Sequence, residues 1–82
     1  MRFLEVFRGG LRLRLTLTRH VRRRMRQRGI SLADVKRAIE TGQSYPAWLA
    51  VRFELSVSGR KTGPRLVVVV GTTLTIATAF WE

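Results

Sequence analysis

GGLRLRLTLTRHVRRRMRQRGISLADV, residues 9–35, changes its hydrophobic period halfway along, and that change decides the fold. Leu11, Leu13, Leu15 and Leu17 alternate with Arg12, Arg14 and Thr16, a period of two that predicts a strand over 11–17, with Gly9-Gly10 as the hairpin turn before it. From Thr18 onward the alternation stops. Thr18 is placed to N-cap a helix from Arg19 to Arg28, Gly29 to end it in a left-handed cap, and the arginines near its C-terminus complement the helix dipole. Ser31 and Asp34 then have the spacing of a capping box for a second helix, Leu32 to Thr41, with Leu32, Val35 and Ile39 on one face and Gly42 as its stop.

Upstream, Phe3 to Phe7 is short and mixed, and three outcomes stay open: fraying, a first strand, or a helical turn. Downstream of Tyr45-Pro46, Leu49, Val51, Phe53, Leu55 and Val57 alternate with Ala50, Arg52, Glu54 and Ser56, which again predicts a strand. Gly59 to Pro64 reads as a loop, and Arg65 to Val70 as a central strand buried on both faces. Gly71-Thr72-Thr73 turns into a last strand, Leu74 to Trp81, in which Phe80 should share a face with Leu74, Ile76 and Thr78, and Trp81 with Ala77 and Ala79. The order β-α-α-β-β-β predicts an α+β fold, an antiparallel sheet of about four strands with two short helices packed on one face. With no repeat or linker in the sequence, one domain over 1–82 is expected.

Charge is the outlier in the composition. Sixteen basic against five acidic side chains give +11 and a pI near 12.0, a self-repulsion that a polyanionic partner would relieve. Fourteen of those basic residues are arginine, whose planar fork suits phosphate and base-edge contacts. The absence of cysteine excludes disulfides and thiolate chemistry, and a single histidine excludes the usual zinc sites. The acids are Glu5, Asp34, Glu40, Glu54 and Glu82; with Asp34 assigned to a cap and Glu40 to a helix end, no carboxylate cluster for magnesium is evident, and no cofactor is expected. No apolar run exceeds five residues, so neither a signal segment nor a membrane span is read, and a cytoplasmic location is expected.

The chain's one histidine sits inside the most basic stretch. On a helical wheel starting at His20, Arg24 falls at about 40° and Arg28 at about 80°, beside Val21 and Met25 at about 100° and 140°. His20, Arg24 and Arg28 thus form one stripe along the edge of the apolar seam, where partial shielding would strengthen phosphate contacts. Arg22, Arg23 and Arg26 point elsewhere. Two readings stay open. The arginine stems can lie along the core and snorkel outward while the imidazole bonds a carbonyl. Alternatively the stripe supplies what RNA cleavage at a 2′-hydroxyl needs: a base or acid active at neutral pH, and cations for the crowded phosphate. A wider set, Arg12, Arg14, Arg23, Arg52, Arg60 and Lys61, is the candidate nucleic-acid-binding surface. Trp48, Phe80 and Trp81, all placed on strands, can stack a base or cover a core or subunit contact.

The pieces TRH at 18–20, RMRQRGIS at 24–31, ADV at 33–35, TG at 41–42, LVVVV at 66–70 and TIATAFW at 75–81 together resemble a family of small bacterial domains of unknown function, over about Thr18 to Glu82. That family is similar to the RelE-like and barnase-like toxin folds, many of which cut RNA. The resemblance implies a RelE-like toxin-type ribonuclease without a metal, with His20, Arg24 and Arg28 as site residues and Thr78 as a polar partner on the last strand. It further implies RNA or the ribosome as target and an acidic antitoxin as masking partner. Beside it stand a non-catalytic nucleic-acid-binding module and a small structural domain that forms a homodimer through an exposed sheet edge.

Overall fold

The computed structural model describes residues 2–56 and 64–82. Its elements run β1 (Arg2–Arg8), β2 (Leu11–Leu17), α1 (Arg19–Gln27), α2 (Leu32–Thr41), β3 (Gln43–Ala47), β4 (Ala50–Ser56), β5 (Arg65–Gly71) and β6 (Ile76–Trp81). The fold is α+β, with two helices and an antiparallel four-stranded sheet in the order β3-β4-β5-β6, plus a two-stranded sheet, β1-β2. The expected class holds, but the strands are distributed differently. The leucine-alternating strand pairs with Phe3 to Phe7 rather than joining the large sheet, touching it through a parallel bridge, Thr16 to Thr75. Its turn is the tight two-residue type in which both central residues need positive φ, met by Gly9 at 59° and Gly10 at 77°. The fourth strand of the sheet is β3, an exposed edge whose Pro46 blunts further pairing.

Both helices carry their caps in the sequence. The Thr18 hydroxyl accepts from the Val21 amide, and α1 closes with Ile30 N–H donating to Met25 carbonyl at 2.8 Å and Gly29 N–H to Arg26 carbonyl at 3.3 Å. That paired closure, with Gly29 at φ 66° and Ile30 and Met25 both buried, is the Schellman ending. At α2 the Ser31 hydroxyl and the Asp34 carboxylate exchange bonds with each other's amides. Val35, Ala38 and Ile39 are its buried residues; Leu32, expected on that face, is exposed. At Gly42, where the backbone turns extended and α2 ends, glycine is required for want of space rather than by its φ of −74°. A β-carbon there would lie 2.3 Å from the Ala38 carbonyl oxygen and 2.6 Å from that of Glu54.

The core lies between the helices and one face of the large sheet, with Leu15, Leu17, Val21, Met25, Val35, Ile39, Phe53, Leu66, Val68 and Ile76 at its centre. α2 packs between the hairpin and β4–β5, and α1 lies along β6. Arg8 locks the hairpin onto α2, donating to the Ile39 carbonyl at 2.7 Å and the Gly42 carbonyl at 2.8 Å, where the helix dipole is negative. β5 is covered on both faces, as Val67 and Val68 are both fully buried. A register shift between Val69 and Val70 leaves Ala77 unpaired in β6. The bulge turns Ile76 into the core with Ala79, against the expected alternation with Phe80, and pushes Ala77 outward. Trp48 is not on a strand but in the β3–β4 turn, 89% exposed. Among the described residues no helix is long and apolar enough to cross a membrane.

Candidate functional site

Because Val21 and Met25 anchor α1 to the core, the residues one step round the helix face β6 across its outer edge. There His20, Val21, Arg24 and Arg28 meet Ala77 and Thr78 around a solvent-open hollow of about 230 Å³. The four residues expected at the site line one cavity. The bulge helps to build it, since a regular strand would not present both Ala77 and Thr78 to α1.

Their states differ from the expectation in one respect. His20, Arg24 and Arg28 are all exposed rather than half-shielded by the core seam. Met25 and Val21 fill the seam so completely that the stripe beside them is lifted onto its rim. Arg28 also has a structural task. Its guanidinium donates to the Ala79 carbonyl at 2.8 Å, satisfying an edge-strand acceptor, while the Trp81 indole N–H donates to the Arg28 carbonyl at 2.7 Å. An arginine has five donors, so the rest of the fork stays available toward the hollow. Among the described residues, neither the His20 ring nor the Arg24 guanidinium has a side-chain hydrogen bond or an ion pair.

The wider basic set is scattered. Arg23 joins Arg19, Arg22 and Arg26 around a second hollow of about 360 Å³ on the far side of α1. Helical spacing places Arg22, Arg23 and Arg26 away from the His20 stripe, and Arg19 joins them at the start of the helix. Their angles, with Arg19 at about 260° and Arg23 at about 300° on the same wheel, already mark a contiguous basic face. Arg52 lies on the outer face of the large sheet, paired with Glu54 at 2.8 Å and with Glu82, its guanidinium 5.9 Å from the Phe80 ring centre. One terminal nitrogen of Arg12 donates to both Glu5 carboxylate oxygens at 2.8 and 2.9 Å, and Arg14 lies 4.1 Å from the Phe3 ring centre. That donation from Arg12 holds the Glu5 carboxyl below the usual carboxylate range and raises Arg12 in turn. Arg60 and Lys61 lie outside the described residues.

Every carboxylate is committed away from the α1–β6 hollow. Glu5 binds Arg12, Asp34 caps α2, Glu40 accepts the Phe7 amide at 2.7 Å, Glu54 pairs with Arg52 and Arg65, and Glu82 pairs with Arg52. The charged side chains lining the hollow, Arg24 and Arg28, are therefore both cationic, a surface suited to phosphate oxygens.

A family model described as a domain of unknown function, DUF4258, matches residues 17–80. The match begins at the last residue of β2 and spans both helices and the large sheet as far as Phe80 in β6, leaving the β1–β2 turn and β1 outside it. No curated protein and no solved structure matches the chain.

Proposed function

The chain belongs to the DUF4258 family, and we propose that it is a small basic RelE-like, toxin-type protein that grips RNA at the α1–β6 hollow and cleaves it without a metal ion. The observation that carries this reading is the convergence of His20, Arg24, Arg28 and Thr78 on one solvent-open cavity. In the reaction His20 takes the proton of a ribose 2′-hydroxyl, and the freed oxygen bonds to the adjacent phosphorus. The phosphorus–5′-oxygen bond breaks, and that oxygen is protonated by solvent water, leaving a 2′,3′-cyclic phosphate and a 5′-hydroxyl. Arg24 and the free donors of Arg28 bind the non-bridging oxygens as charge builds on them, and the Thr78 hydroxyl orients the ribose or phosphate. The commitment of all five carboxylates elsewhere supports a route that uses cationic side chains in place of a metal. RNA, free or on the ribosome, is the proposed target in the cytoplasm. A short acidic antitoxin covering the arginine surface is the proposed partner, and a neighbouring reading frame encoding such a protein would support it.

The test is incubation of total RNA with purified protein in excess chelator, comparing wild type, His20→Ala and Arg24→Ala. Cleavage to cyclic-phosphate ends is expected, falling about 10²- to 10⁴-fold in His20→Ala. Intact RNA with all three proteins, despite salt-sensitive binding, removes the enzyme reading. A second reading, a module that binds nucleic acid without cutting it, draws on the hollow lined by Arg19, Arg22, Arg23 and Arg26, which offers phosphate contacts and no group able to move a proton.

A further inference from the structure

We propose that the outward face of the β1–β2 hairpin is a stacking platform for single-stranded RNA, with Phe3 and Phe7 as the rings that carry bases and Arg12 and Arg14 as the adjoining cations. It is a surface separate from the α1–β6 hollow and needs no chemistry at His20. In the hairpin register Phe3, Glu5 and Phe7 of β1 share one face with Thr16, Arg14 and Arg12 of β2, since Phe3 pairs with Thr16, Glu5 with Arg14 and Phe7 with Arg12. The opposite face carries Leu4, Val6, Leu13 and Leu15 into the core. Two phenylalanines therefore stand on the solvent side of a small sheet, 53% and 55% exposed, although core positions were available on the other side.

Their surroundings identify the occupant. Arg14 backs the Phe3 ring at 4.1 Å, Arg12 stands opposite Phe7, and Glu5 between the rings is neutralised by its ion pair with Arg12. Rings interleaved with guanidiniums hold a nucleic-acid strand by stacking and phosphate contact together. Four residues along a strand separate the two rings by about 13 Å, whereas successive bases within a duplex strand rise about 3.4 Å. The rings thus suit bases splayed from an unstacked single strand. A second copy of this chain fits worse, because each copy brings a net +11 and this face adds two guanidiniums to one carboxylate.

Binding of labelled oligoadenylate and of an RNA duplex with the same number of phosphates, followed by fluorescence anisotropy, tests this. The variants are Phe3→Leu with Phe7→Leu, Phe3→Trp with Phe7→Trp, and Arg24→Ala. The leucine pair should lose roughly ten- to hundredfold in single-strand affinity per ring while its duplex affinity and melting temperature stay at the wild-type values. The tryptophan pair should hold or tighten single-strand binding. Wild-type single-strand affinity in the leucine pair overturns the platform, as does a wild-type dimer in sedimentation that the leucine pair dissolves. Arg24→Ala keeps the two readings apart. If it leaves both affinities unchanged while the leucine pair fails, the hollow reading falls and the platform stands.

Discussion

Replacing Arg28 with methionine and, separately, Arg24 with methionine should split one basic stripe into a structural and a free member. Both changes keep an apolar stem and remove one positive charge from a chain at +11, so relief of self-repulsion enters each variant alike and cancels in the comparison. What does not cancel is the bond from the Arg28 guanidinium to the Ala79 carbonyl at 2.8 Å. Hydrogen bonds from charged donors contribute about 1.5–3 kcal/mol, and water can replace this part-buried one only in part, so at least about 1 kcal/mol is expected here. For a domain of this size that is about 4–8 °C in melting temperature. Thermal unfolding followed by circular dichroism should place Arg28→Met below Arg24→Met by that interval, with Arg24→Met at or slightly above wild type. Coincident midpoints for the two variants would show that the edge of β6 does not depend on Arg28.

Gly29→Ala and Gly42→Ala should both destabilise, for different reasons that urea unfolding can weigh. Gly29 has open space but a φ of 66°, costing about 1–2 kcal/mol with a β-carbon, whereas Gly42 has an ordinary φ and no space. Backbone oxygens at 2.3 and 2.6 Å must move apart, so Gly42→Ala should cost about 1–3 kcal/mol or more, and a wild-type midpoint would contradict the close contact of α2 with β4. The depressed Glu5 carboxyl contributes stability that is present above its unfolded pKa and is lost as pH falls through its lower folded value. Glu5→Gln should therefore differ from wild type at neutral pH and low salt, and the gap should close in acid and in high salt. A gap that widens in acid would reverse the assigned sign.

The parts of the fold legible in the sequence are those written locally. Thr18, Gly29, Ser31 and Asp34 bound the helices through side chains and backbone conformations within a few residues, and the bounds of α2 at Leu32 and Thr41 follow from them. The Gly9-Gly10 turn marks a hairpin before Leu11 to Leu17, but where that hairpin docks is set by contacts far along the chain: Arg8 on the end of α2 and Glu40 on the Phe7 amide. β3 escapes notice because Gln43 to Ala47 is polar, short and interrupted by Pro46, and exists only through its pairing with β4. At the site, helical spacing is enough to bring His20, Arg24 and Arg28 together, and the family resemblance adds Thr78. The bulge that presents Ala77 beside Thr78 has no glycine or proline to mark it, and small residues at 77 and 79 leave the facing of TIATAF undecided until the register against β5 fixes it. Likewise Arg52 reads as a free cation in sequence and is neutralised by Glu54 and by Glu82, which is thirty residues away.

The most direct test of phosphodiester binding at the α1–β6 hollow is a titration of isotope-labelled protein with an uncleavable 2′-O-methyl dinucleotide, read by NMR. The account predicts saturable shifts of the His20 ring protons, the Arg24 side chain and the Thr78 amide together, reduced in Arg24→Ala. Shifts confined to other surfaces, with the His20 and Thr78 signals unmoved at saturation, would contradict it.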